Sequence, residues 1–420
     1  MRMTGSSLGW AALGVLALCF LLNALARGAG ETYAVFLLPI GAETGWDRAA
    51  LTSVYSVYML ANGLASPFVG AAFDRFGGRA LYVFGLLSLG GGFWLAGRME
   101  DFWHLALTVG VLGGLGIASL GMIPGSILIS RWFDRRVGTA MAIASAGLGL
   151  GTLLLAPLAQ MLIDSVGWRG GYGWLGGCIL ALALPVGFLP WRRITAGGLG
   201  GRARAARMPS GKMQPHGLRR ALRSRPFWAL FAAFYLTAVA GYGVSLQTVA
   251  YLVEQGFRPI QAAGAFGFAG MLSIAGVLMV GAAADRFGNR VTATASYIVT
   301  LTGILSLALV QAYPGFAFLV GFVLFFGGSM GARGPIISTL STSLFAGRGV
   351  GAIYGTITTG QGLGAATGTW LAGLLHDATG GYTVGFVTSS AFMLAAMTIF
   401  LVVPELSTAR RVAAGAPDQS

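Results

Sequence analysis

Three side chains place formal charge deep inside apolar stretches of the chain: Arg27, Glu31 and Arg333. Charge at bilayer depth is costly, so such residues face a polar cavity or one another. Arginine suits one task in particular, because its planar fork holds a carboxylate through two parallel hydrogen bonds. Arg27 and Arg333 are therefore candidate ligands for a small organic anion. Arg27 and Glu31 stand four residues apart, which on a helix makes them neighbours on one face. Two readings follow: a structural ion pair, or a working pair in which Glu31 competes with the anion for Arg27 and takes up a proton. Arg333 has no acidic neighbour in its own stretch. Its partner is a backbone carbonyl freed by Pro335, Glu31 or a substrate anion, and the anion is the preferred reading. Asn23, Tyr242, Gln247, Tyr354 and Gln361 are candidate polar wall residues, each of which could equally be a satisfied packing residue.

Enzymatic readings lack their parts. His104, His216 and His376 are scattered without metal-ligand spacing. No nucleophile–base set is visible, and no metal or cofactor is expected. Cys19 and Cys178 both lie in apolar runs and fit neither a disulfide framework nor a metal site.

The elements that position these residues are apolar helices. Of 420 residues, 55% are hydrophobic and 10% charged, with a mean hydropathy of +0.75, whereas soluble domains carry about 25% charge. With about 20 residues needed per crossing, the runs give twelve spans, near 9–38, 50–73, 79–98, 104–130, 136–163, 168–189, 226–254, 260–284, 290–311, 315–344, 349–376 and 382–403. The run behind Met1-Arg2 ends in Ala24-Leu25-Ala26, as a cleaved leader could, but apolar character resumes at Tyr33 and the first span is expected to be retained. The domain reading is a first bundle over 1–189, a basic linker over 190–225, a second bundle over 226–404 and a tail over 405–420. The linker holds ten basic residues and no acidic one.

The net charge of +14 is a matter of topology. Placing the termini, the linker and the turns at 74–79, 131–136, 285–290 and 345–348 on one side gathers 21 Lys and Arg there. Arg48, Arg98, Arg169 and Arg258 fall on the other side. Basic residues are retained in the cytoplasm, so both termini are expected to be cytoplasmic. The basic segments are suited to membrane lipid rather than nucleic acid.

The chain also repeats itself. Gly70-Ala71-Ala72-Phe73-Asp74-Arg75-Phe76-Gly77-Gly78-Arg79 returns 211 residues later as Gly281-Ala282-Ala283-Ala284-Asp285-Arg286-Phe287-Gly288-Asn289-Arg290. A fainter echo links Gly147, Gly149 and Gly151 to Gly360, Gly362 and Gly364. These glycines lie inside apolar spans, where small residues let backbones approach, and are read as packing surfaces rather than a nucleotide fingerprint.

The repeated pattern Gly-x-x-x-Asp-Arg-x-Gly-x-Arg resembles the loop signature of the major facilitator superfamily. The resemblance implies an all-α polytopic fold of twelve transmembrane helices in two pseudo-symmetric six-helix bundles. It also implies a central cavity lined by spans one, four, seven and ten, and alternating access. It casts Asp74, Arg75, Arg79, Asp285, Arg286 and Arg290 as a cytoplasmic gate. Phe20-Leu21-Leu22-Asn23 with Gly28 and Val35-Phe36, and Trp132-Phe133-x-Arg135-Arg136 with Ala140, Ala142 and Ala146-Gly147, resemble the monocarboxylate transporter and oxalate–formate antiporter branch. Where that branch carries a lysine in span one this chain has Glu31. Where it has an Asp and an Arg in span eight, this chain has Gly270 and Ile274, and the span-eleven lysine has no counterpart. The expected function is proton-coupled transport of a small organic anion, a monocarboxylate, by a monomer in the cell (inner) membrane. The alternative is polyspecific efflux on the same fold, although Pro157 lacks the preceding glycine of the exporter signature.

Overall fold

The computed structural model describes residues 5–133, 137–197, 220–313, 315–345 and 350–406, apart from the side chains of 5–9, 342 and 350–352. Most of the 190–225 linker, His216, the tail beyond 406, and Asp134, Arg135, Arg136 and Arg348 lie outside that set. Among the described residues every regular element is helical, and eight helices are long and apolar enough to cross a membrane. Large apolar side chains such as Phe84, Trp94, Leu184, Phe188, Val387 and Val402 are exposed. On a soluble protein such a surface would be an anomaly; here it is the lipid face.

Two of the eight helices are too long for one crossing. Arg48–Ala96 has 49 residues and Val137–Phe188 has 52. The longer would run about 78 Å if straight, against a hydrocarbon core of about 30 Å. Each is broken once, at Gly77 (φ 81°) and at Gly167 (φ 73°). Only glycine adopts that left-handed region at little cost, so the sequence dictates where the chain turns back.

These breaks follow the internal repeat. Gly77 corresponds to Gly288 (φ 88°), Gly45 (φ 68°) to Gly256 (φ 89°), and Gly167 to Gly380 (φ 67°). Only the first pair lies in the decapeptide visible by eye. Two π-helical segments, Ala106–Leu112 and Val323–Gly327, fall in the fourth and tenth apolar runs, but at the offset of the repeat they share only the position of Leu112 and Val323.

The glycine triplets form close helix contacts both within each half and between the halves. A Cβ on Gly147 or Gly151 would collide with the carbonyl oxygens of Phe20 and Ala24. One on Gly364 would collide with that of Tyr235, and one on Gly360 would press at 3.1 Å on the ring and carbonyl of Phe231. The outer members of each triplet thus seat a helix against the opening helix of its own half. The middle members face the other half, Gly149 against the Gly270 carbonyl and Gly362 against Gly63. The helix Val137–Phe188 accordingly packs on Pro259–Phe287, and Arg48–Ala96 on Val350–Thr379.

Candidate functional site

A cavity of about 420 Å³ lies between the halves. In the helix Arg225–Glu254 its lining stops at Ser245, and in Val350–Thr379 it includes Tyr354 and Gln361. In Pro259–Phe287 it runs from Phe266 to Leu278. The first and third ranges are centred in their helices. Tyr354 and Gln361, and residues 142–152 of Val137–Phe188, lie nearer the helix ends at the basic face that carries the Asp-Arg turns, so the cavity leans toward that face.

Arg27, Glu31 and Arg333 all line it. Gly5–Glu31 ends at Glu31, and a turn at Thr32 leads into Tyr33–Thr44, so the pair sits where the first span is interrupted. Arg27 Nη2 stands 2.7 Å from Glu31 Oε1, with the carboxylate buried and the guanidinium side chain 32% exposed. The contact is an ion pair by distance, but Oε1 has no well-directed hydrogen bond. Nη1 of Arg27 donates to the Tyr242 hydroxyl, 3.2 Å away in the second half. Tyr55 and Tyr58 lie within electrostatic reach of both charges. Arg27 is thus held across the halves yet remains open to the cavity.

Arg333 is placed differently. Its helix begins after a break whose Gly331 has φ 77°. Its guanidinium donates to the Ser329 carbonyl (3.2 Å), the Ser296 carbonyl (2.8 Å) and the Thr300 hydroxyl, and lies over the Tyr297 ring at 4.7 Å. Nε has no partner. Backbone carbonyls therefore take up this arginine, and they are those of Ser329 and Ser296 rather than one freed by Pro335.

Of the polar wall candidates, Tyr242, Tyr354 and Gln361 line the cavity, whereas Asn23 and Gln247 are buried outside its lining. Asn23 donates to the Met122 sulfur (3.1 Å) and the Ala144 carbonyl (3.2 Å). The amide of Gln247 has no partner. The fourth apolar run, 104–130, contributes nothing to the lining, contrary to the expected arrangement; its Met122 packs against Asn23 and Ser145. Spans five, eight and eleven supply wall residues instead.

Four of the gate candidates on the basic face make contacts within their own halves. Asp74 pairs with Arg131 at 3.5 Å, Arg290 donates to the Leu401 carbonyl, and Arg75 and Arg286 lie over Phe76 and Phe287.

The opposite face is closed across the halves. Asp377 accepts from the backbone N–H groups of Arg48 (3.1 Å) and Ala49 (2.6 Å). It caps a helix whose own Asp47 makes no capping bond, a favourable site for a carboxylate. Arg48 pairs with Glu254 at 2.6 Å and reaches the Tyr382 hydroxyl. Deeper in, Ser56 bonds Thr369 (2.7 Å) and donates to the Ala366 carbonyl. The sequence offered one faint signal for this closure: Arg48 is among the few basic residues on the sparsely charged side.

Comparison with known proteins agrees with this architecture. The model of the Major Facilitator Superfamily matches residues 16–368 and 278–418. Monocarboxylate transporter 13 of Bos taurus is 29% identical over 399 residues, 94% of this chain and 90% of that protein. Monocarboxylate transporter 11 of Homo sapiens is 28% identical over 94% of this chain and 83% of its own length. Monocarboxylate transporter 12 of Mus musculus is 26% identical over 92% and 84%.

Proposed function

The chain belongs to the Major Facilitator Superfamily, and from that premise we propose a proton-coupled secondary transporter that moves a small organic anion by alternating access. It is a membrane transporter and not an enzyme. The observation carrying the substrate reading is Arg27, a guanidinium open to the central cavity and held only by a carboxylate and a phenol. The monocarboxylate transporters to which the chain is similar support the same class.

In this mechanism the substrate carboxylate takes the place of Glu31 on Arg27. Protonation of Glu31 removes the competitor, so one proton and one anion load together. Tyr242 follows the guanidinium from the second half and carries the load across the seam. Arg333 supplies positive potential to the wall and keeps the interrupted helix at Ser329–Arg333 anchored to its neighbour. Tyr354 and Gln361 complete the polar lining, while Asn23 and Gln247 act from behind it.

The basic face is cytoplasmic on the charge distribution, which puts both termini inside the cell and makes this conformation inward-facing. Asp377, Arg48, Glu254 and Tyr382 hold the outer face shut. In the outward-facing state those bonds separate, and Asp74, Arg75, Arg79, Asp285, Arg286 and Arg290 close the cytoplasmic face. The division at 1–189 and 226–404 supplies the two rocking bodies in twelve spans. Uptake of labelled carboxylates into vesicles under an imposed pH gradient tests the reading. Protection of cells against dyes and antibiotics without any carboxylate flux would favour polyspecific efflux, which the aromatic lining also suits.

A further inference from the structure

The two halves supply unlike walls to the cavity. From the first half come Arg27, Glu31 and a strip of the fifth span in which Ala142, Ser145, Gly149 and Thr152 are small. From the second come Arg333, small residues such as Gly241 and Gly270, and all six aromatic rings, Phe234, Tyr242, Phe266, Phe322, Phe326 and Tyr354, of which the four phenylalanines are at most 5% exposed. Phe322 and Phe326 stack on each other at 5.1 Å. A cavity of about 420 Å³ lies within the roughly 300–1,000 Å³ that houses drug-sized ligands. A lactate-sized acid on Arg27 would leave most of that volume unfilled.

We propose that the transported anion is an aryl or arylalkyl monocarboxylate. Its carboxylate sits on Arg27 and its flat apolar body lies between the phenyl wall of the second half and the small residues of the fifth span. The inference rests on the anion reading above and narrows it. One carboxylate is accommodated because Glu31 already neutralises Arg27 and carbonyls occupy most of Arg333. A second negative group would find no free cation among the described lining residues. The body is apolar because rings prefer offset or edge contacts with other rings. The small residues opposite act as a depth gauge: a larger side chain there would shorten the slot.

The test is competition in proteoliposomes holding the purified full chain, with labelled 3-phenylpropionate as tracer. Unlabelled acetate, lactate and 3-phenylpropionate are the competitors. The expected result is a half-inhibiting concentration at least about tenfold lower for 3-phenylpropionate than for lactate, since each added apolar group in a pocket is worth about tenfold or more. Phe266→Leu, which keeps an apolar side chain in place, is expected to narrow that ratio. Ala142→Phe is expected to weaken the aryl acid more than lactate. Equal or better competition by lactate, with both variants leaving the ratio unchanged, would overturn the aryl assignment while leaving anion transport standing. If neither labelled 3-phenylpropionate nor labelled lactate moved, the anion reading itself would fall, and this inference with it.

Discussion

The two halves have the same skeleton and different linings. Left-handed glycines at 45, 77 and 167 recur at 256, 288 and 380, and each glycine triplet seats its helix on the same partner. The cavity walls break this symmetry: the Arg27–Glu31 pair comes from one half, and Arg333 with all six aromatic rings from the other. Repetition marks what the fold requires of both halves, and departure from it marks what a ligand requires of one. The two arginines sharpen the point. Arg27 leaves part of its side chain open to the cavity, whereas Arg333 is occupied by the carbonyls of Ser329 and Ser296 and the hydroxyl of Thr300.

That contrast predicts unequal consequences. Arg27→Gln should lower carboxylate uptake about 100-fold or more, since losing a charged partner costs on the order of 3–5 kcal/mol. Initial rates in vesicles with matched protein content check this. Glu31→Gln should retain carboxylate binding but lose about tenfold in accumulation driven by a pH gradient, converting a coupled carrier into a facilitator. Counterflow without a gradient separates the two, and full retention of pH-driven accumulation would remove Glu31 from the coupling step. Arg333→Met should behave as a structural lesion. Its buried acceptors lose their donor at about 1–3 kcal/mol, so melting in detergent falls while half-saturation shifts less than in Arg27→Gln. Asp377→Ala removes a cap worth about 1 kcal/mol and should raise the outward-open population about fivefold. In a cysteine-free background, faster labelling of Thr369→Cys from the outer side would register that change.

Much of this was legible in the sequence because membrane helices carry their own evidence. Apolar runs, basic turns and the repeated Asp-Arg decapeptide give the architecture, and charge rarity singles out Arg27, Glu31 and Arg333. The glycine triplets read correctly as packing surfaces. Less legible was anything that depends on which way a side chain turns. The partners of Arg333 come from Ser296, 37 residues earlier, and from a carbonyl beside the Gly331 break. Asn23 and Gln247 are polar residues in the right helices that lie outside the cavity lining. The closure at Asp377 was hidden because a carboxylate capping a helix 329 residues away leaves no local pattern. The aromatic wall was hidden for a similar reason, since its rings come from four separate spans and look like ordinary core until the helices are assembled.

The central claim is that Arg27 and Glu31 form a working site and not merely a structural pair. Replacing both at once with glutamine keeps size and hydrogen-bonding capacity and leaves no unpaired charge, so the protein should remain folded. Labelled carboxylate uptake by Arg27→Gln/Glu31→Gln in proteoliposomes, at matched insertion and melting temperature, is the direct measurement. Carboxylate flux is expected to fall to the level of protein-free vesicles, with or without a pH gradient. Undiminished flux from a folded double variant would contradict it.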